Sequence, residues 1–175
     1  MSKARRILAI DTSSSPGYAV IELDAKNKPK LIYADAVKTD AKLTDAERYD
    51  VVRSKTALVC FEYGPFAKVV REHFIKGGSK RGTQLVFGAW SAVDSALKTW
   101  GYVIDAKDEI TPTTVKKVVA GSGKAQKDEV ESGVRRLLQL NDAYVFPNNS
   151  GGDASDAVAI ALAWLSEKGG VDIGN

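Results

Sequence analysis

Four acidic residues stand where an acid is expensive to place. Asp11 closes the apolar run "ILAI" of residues 7–10, and small or turn-forming residues follow it to Gly17. Glu62 comes late in "TALVCFEYG", residues 56–64, a β-branched and aromatic run with the look of a buried parallel strand. Asp153 and Asp156 open "DASDAVAIALAWL", a helix pattern with almost no polar residue along its body. Three positions apart, they project from one side of that helix. Each has a plainer explanation when taken alone. Asp11 suits an Asx-turn, Asp153 an N-cap, and Asp156 the positive end of the helix dipole. Glu62 has no local capping role of that kind.

Taken together, the four point to chemistry. If the strands carrying Asp11 and Glu62 run parallel side by side, both acids lie near carboxyl ends, where the helix start at 153 can close over them. Four converging carboxylates repel, and several stay protonated unless cations neutralise them. A donor set made only of oxygen favours Mg²⁺, with Mn²⁺ as a substitute. Two such ions about 4 Å apart can clamp the attacking and leaving oxygens of a phosphoryl displacement.

The elements that must position these acids can be outlined from the same chain. Strands are expected at 5–11, 17–24 and 30–37, the last two joined by the hairpin-like "DAKNKPK". Thr44 and Glu47 have capping-box spacing, so a helix should start there and give way to the strand at 56–64. A helical segment over 65–75, a basic glycine loop "KGGSKRG", a longer helix at about 83–100 and a fifth strand in "YVIDAKDEI" come next. Thr111–Pro112 starts a short helix, with proline at its favoured first position. "AGSGKAQKDEV" is a glycine loop opening another helix, and the last helix runs from about 153 to 168. The expectation is α/β: a five-stranded mixed sheet with helices on both faces. Residues 1–168 form one domain in this reading, and 169–175 a flexible tail.

In this order the motifs resemble the RuvC-type Holliday-junction resolvases of the ribonuclease-H-like superfamily. "LAIDTSSSPGYAVIE", "VCFEYGPF", "TPTTVKKVVAGSGKAQKDEV" and "DASDAVAIALAWL" carry the likeness, over about residues 6–166. The "VKKVVAGSGKAQKDEV" and "DASDAVAIALA" segments are its most specific parts. The resemblance implies a ribonuclease-H-like sheet order and Mg²⁺-dependent cleavage of branched DNA, above all four-way junctions, leaving 5′-phosphate and 3′-hydroxyl ends. It assigns metal ligation by two ions to Asp11, Glu62, Asp153 and Asp156, and puts Lys127 near the scissile phosphate. An aromatic after the glutamate strand, Tyr63 or Phe66, would push into the junction. The chain departs from the family in its first motif, where Asp11–Thr12–Ser13 replaces the common D-P-G, and in the long "HFIKGGSKRG".

Charge is consistent with this but does not decide it. The net charge is only +3, so any DNA surface must come from local clustering. Lys68, Arg71, Lys76, Lys80 and Arg81 crowd one stretch, and Lys116, Lys117, Lys124 and Lys127 form a second set. An acidic site repels phosphates and needs such flanking cations, although a solvated face would have the same composition. Cys60 is the single cysteine, so no intrachain disulfide or cysteine zinc cluster can form, which suits a reducing, intracellular setting. His73, the one histidine, sits in a charged stretch and reads as an exposed residue. Trp90, Trp100 and Trp164 read as packing residues. The basic N-terminus precedes too short an apolar run for a membrane span, so no membrane partner is expected. A junction presents two equivalent strands, which makes a two-fold homodimer the natural assembly. The apolar residues of the 83–100 helix are candidates for its interface. The rival readings are a junction-binding protein that cuts little, a nuclease acting on RNA–DNA hybrids, and an ATP-handling relative. The last is disfavoured because a second domain and second phosphate hairpin are lacking.

Overall fold

A computed structural model describes residues 5–74 and 78–174. Three antiparallel strands come first: β1 (Arg5–Asp11), β2 (Gly17–Leu23) and β3 (Pro29–Ala36). Helix α1 (Asp45–Tyr63) precedes β4 (Lys68–Glu72), and α2 (Lys80–Thr99) precedes a 3₁₀ turn (Ala106–Asp108) and the two-residue β5 (Glu109–Ile110). Helices α3 (Pro112–Ala120), α4 (Lys127–Leu137) and α5 (Asp153–Glu167) complete the chain. The sheet order is β3-β2-β1-β4-β5, with β4 parallel to β1 and β5 parallel to β4. The expected five-stranded mixed sheet with helices on both faces is present.

β1 is central and buried on both sides, so its residues alternate between two cores. Leu8 and Ile10 face α1 and α2, joined by Tyr18, Val20 and Val69. Ile7 and Ala9 face α3, α4 and α5, joined by Val70. Helix α5 lies deep on that second side and is buried from Ala154 to Leu165 apart from the partly exposed Asp156. Its alanines let it settle close to the strands. Among the described residues, no helix is long and apolar enough to cross a membrane.

Three local expectations are corrected. Residues 56–63 are helix, not strand: the Thr44/Glu47 capping box forms, and nothing stops the helix before Gly64–Pro65. Val52, Thr56, Val59 and Cys60 are its buried face, a helical spacing that the β-branched composition concealed. The fourth strand is Lys68–Glu72 instead, within the segment expected to be helical. Its charged ends mask a short pair of valines that point to opposite cores. The fifth strand is reduced to Glu109–Ile110.

Val171 and Ile173 are buried against the α5 core, and the Val171 N–H donates to the Leu165 carbonyl.

Candidate active site

The carboxyl ends of β1 and β4 and the amino end of α5 meet at one cleft of about 300 Å³. Parallel pairing puts Ile10 beside Arg71, so Asp11 and Glu72 are the next residues along adjacent strands. Alternation turns both toward the α5 side, where Asp153 and Asp156 sit on its first turn. Asp11, Glu72, Asp153 and Asp156 all line the cleft, together with Ser13, Lys116 and Lys127.

Close packing of backbone sets this meeting. Gly17 pairs with Asp11 at the hairpin end, and a Cβ built on it would lie 1.8 Å from the Asp153 carbonyl oxygen. Only glycine lets α5 start so near the sheet. Gly17→Ala is therefore expected to displace Asp153, lower stability by about 3 kcal/mol in urea unfolding, and remove the activity proposed below. Gly152, at φ +86°, turns the chain into α5. Ser13 Oγ donates to Asp153 Oδ1 at 3.4 Å, a long contact at the cleft wall.

The electrostatics are those of an undercompensated acidic cluster. Burial holds the Asp11 carboxyl well above the usual carboxylate range, and the charges of Glu72, Asp156 and Asp153 push it further. Burial, then Asp156, pushes Glu72 up to about 7, against the pull of Lys116 and Lys127. Burial also raises Asp156, although Lys127 opposes it. Lys127 occupies the first position of α4, and its Nζ lies 3.1 Å from Asp156 Oδ2 and donates to the Gly151 carbonyl. Burial disfavours its charge, but the neighbouring acids outweigh that and raise its pKa.

Among the described residues, no three His, Cys, Asp or Glu side chains stand close enough together to hold a metal ion by themselves. The carboxylates instead line an open cleft. That suits a cation such as Mg²⁺, which keeps several waters and takes substrate phosphate oxygens as ligands. The all-oxygen donor set, with Asp11, Glu72 and Asp156 held above the usual carboxylate range by burial, thus fits divalent cations.

The structure brings Asp11, Asp153, Asp156 and Lys127 together as expected, but not Glu62. That residue is exposed in the last turn of α1, and the adjoining Tyr63 carbonyl accepts from Arg6 at the amino end of β1, the far end of the sheet from the cleft. Glu72 takes the place expected of Glu62. The sequence carries a signal for it: the helix stop at Gly64–Pro65 leaves the β-branched pair Val69 and Val70 to supply the strand that Glu72 ends.

The aromatic and basic candidates divide in the same way. Tyr63 stacks on Tyr33 with centroids 4.4 Å apart, and Phe66 is buried against Tyr102, both away from the cleft. Neither is placed to meet a base there. Lys68 is tied to the buried Asp108 at 2.9 Å, and buried Arg71 to Asp94 and Glu109, each at 2.9 Å. These two cations serve the fold. Arg81 forms a two-pronged surface pair with Asp45, whereas Lys80 is exposed at the start of α2. Lys76 lies outside the described residues. Lys116 reaches the cleft, while Lys117 and Lys124 are exposed on α3 and on the loop before α4. His73 is half exposed, with Nδ1 2.7 Å from Glu109 Oε2.

Comparison with known proteins is consistent with this architecture. The family model described as crossover junction endodeoxyribonuclease RuvC matches residues 7–164. The crossover junction endodeoxyribonuclease RuvC of Rickettsia bellii is 33% identical, over 93% of this chain and 98% of its own. That of Halothermothrix orenii is 30% identical, over 89% of each. Among solved structures, T. thermophilus RuvC in complex with a Holliday junction substrate superposes with a TM-score of 0.76. It is 27% identical and covers 91% of this chain and 92% of that one. The yeast mitochondrial Holliday junction resolvase, 14% identical with a TM-score of 0.61, shares the fold.

Proposed function

Because the chain belongs to the RuvC family of crossover junction endodeoxyribonucleases, we propose that it is a metal-dependent endonuclease that cuts branched DNA, chiefly four-way junctions. The observation that carries this reading is the cleft itself, where Asp11, Glu72, Asp153 and Asp156 converge beside Lys116 and Lys127. A cluster of part-buried carboxylates, in which Asp11, Glu72 and Asp156 resist ionisation, is a poor arrangement for binding an anionic phosphodiester unaided. With cations between them the repulsion becomes attraction.

Asp11, Glu72, Asp153 and Asp156 would hold two Mg²⁺ ions, with Mn²⁺ as a substitute. When bound, such ions activate water and stabilise charge on the phosphoryl oxygens. The protein's own groups do the rest. The ends of two parallel strands fix Asp11 and Glu72 against each other, and the packing of α5 fixes the Asp153/Asp156 pair. Lys127 and Lys116 neutralise backbone phosphate at the cleft, and the exposed Lys117, Lys124 and Lys80 extend that positive surface. Phe74, two residues beyond Glu72, packs with its ring tilted against Phe87, centroids 4.9 Å apart. As the aromatic ring next in sequence to the cleft strand, it would take the junction-facing role for which Tyr63 and Phe66 are misplaced.

A four-way junction offers two equivalent strands, so the assembly proposed is a two-fold homodimer. The α1–α2 layer exposes Val51, Leu58, Phe61 and Phe87, the apolar surface that such an interface would use.

The test is incubation of the protein with an immobile four-way junction, the matched duplex and an RNA–DNA hybrid, in Mg²⁺ or EDTA. Paired nicks in the junction that require Mg²⁺ are expected, with the duplex left intact. Tight junction binding without nicking in Mg²⁺ or Mn²⁺ would contradict the nuclease reading. Hybrid cleavage without junction preference would retain the metal site and overturn the choice of substrate.

A further inference from the structure

The side of the sheet opposite the cleft carries an arrangement that packing alone does not require. Arg71 lies between Val70 and Glu72 on β4, so alternation sends it away from the cleft, toward α2. There it is 7% exposed, paired with Glu109 of β5 and Asp94 of α2, and its guanidinium lies 3.7 Å from the ring centroid of Trp90. The Trp90 indole N–H donates to the Thr12 carbonyl at 3.1 Å. Thr12 follows Asp11 directly and is itself buried, with a hydroxyl that finds no partner. Among the described residues, the indole is the only side chain hydrogen-bonded to residue 12. One planar ring thus touches the backbone behind Asp11 on one edge and, by its face, the residue preceding Glu72.

We infer that Trp90, seated on Arg71, is a positioning residue that clamps the Thr12 peptide and so fixes the Asp11 carboxylate relative to Glu72. The inference rests on the proposal that these two acids hold divalent cations. It goes beyond that proposal by assigning their alignment to a residue on the opposite face of the sheet. A strand end followed by "TSSS" has little intrinsic stiffness. Ser13 turns back onto the Asp11 carbonyl, but that bond does not tie the turn to β4. The Trp90–Arg71 stack does, because Arg71 is held in register by partners on both β5 and α2. Phe74 and Phe87 pack edge-on against the same indole, at 6.1 and 6.3 Å between centroids, so the segment beyond Glu72 shares the brace.

The test uses the full-length protein with Trp90→Phe, which keeps an aromatic ring but loses the N–H. A second variant with benzothienylalanine at position 90 has sulfur in place of the N–H and keeps the shape of the indole, in case the phenylalanine variant does not fold. Trp100→Phe, at the far end of α2, is the control. Mn²⁺ is titrated into each metal-free protein without DNA and followed by electron paramagnetic resonance. Loss of the N–H at position 90 is expected to weaken Mn²⁺ binding about tenfold, the scale seen when a group orienting a metal ligand is removed. Trp100→Phe should bind as the native protein does. On the junction, the Mg²⁺ needed for half-maximal nicking should rise by the same factor, while junction affinity in Ca²⁺ stays unchanged. Unaltered Mn²⁺ affinity in the position-90 variants would overturn the clamp, whatever happens to their Tm. If the native protein binds Mn²⁺ yet nicks no junction, the functional proposal falls and the clamp is judged on the Mn²⁺ titration alone.

Discussion

Glu72→Gln is expected to slow junction cleavage about a thousandfold, or about 4 kcal/mol of barrier, whereas Glu62→Gln leaves it unchanged. Glu72 ends β4 beside Asp11 and lines the cleft, and its replacement by an amide removes an anionic oxygen without changing the shape of the side chain. Glu62 is exposed at the end of α1, where an amide costs nothing. Junction affinity in Ca²⁺ should not fall in either variant, because the change at position 72 removes negative charge from a surface that meets phosphate. Single-turnover nicking of a labelled junction measures both. Loss of activity in Glu62→Gln with activity retained in Glu72→Gln would invert the assignment.

The metal-free protein should lose stability as pH rises toward neutrality, and Glu72→Gln should reduce that loss. Glu72 ionises near 4.5 when unconstrained, but in the folded cleft burial and Asp156 push it up to about 7. Between those values the folded state binds more protons than the unfolded one, so stability falls with increasing pH. The contribution is fully present below about pH 4.5 and is lost as pH passes 7. Allowing for solvent screening, the loss from this one group is about 2 kcal/mol. Asp11 and Asp156 act in the same direction, since burial raises both. Urea unfolding in EDTA at mildly acidic and mildly alkaline pH checks this. The native protein should be weaker at the alkaline end, Glu72→Gln less so, and millimolar Mg²⁺ should restore the native protein there. Equal pH dependence in the two proteins would mean that Glu72 does not carry the strain of the cluster. The comparison also separates two origins of a pH-dependent activity, because a cluster that resists ionisation limits cation loading at low pH and fold stability at high pH.

What the chain discloses directly depends on how local the signal is. Asp11, Asp153 and Asp156 are legible because each sits at the boundary of an apolar run long enough to be unambiguous, whereas Lys127 is singled out only by the family resemblance of "GSGKAQK". Glu72 was missed because β4 is only five residues long and two of its three polar residues, Lys68 and Arg71, are charges spent on internal ion pairs. A composition of that kind looks solvent-exposed until the partners Asp108, Asp94 and Glu109 are seen. The run ending in Glu62 misleads in the opposite way. Its β-branched and aromatic residues favour a strand locally, but the helix nucleated at Thr44 carries through them, since packing of Val52, Val59 and Cys60 outweighs a weak propensity. Trp90 shows a third limit. Its position in a helix suggests packing, and only the tertiary contact with Thr12 reveals a bond to the site. The docked Val171 and Ile173 were likewise invisible, because two apolar residues after a Gly–Gly pair carry no periodicity.

The central claim is that the cleft formed by β1, β4 and the start of α5 holds the catalytic cations. Anomalous diffraction from crystals soaked in Mn²⁺ tests it most directly. The account predicts anomalous peaks bounded by Asp11, Glu72, Asp153 and Asp156, lost in crystals of Glu72→Gln or Asp11→Asn. A peak at Glu62, or a cleft without Mn²⁺ while the same crystals bind it elsewhere, would contradict it.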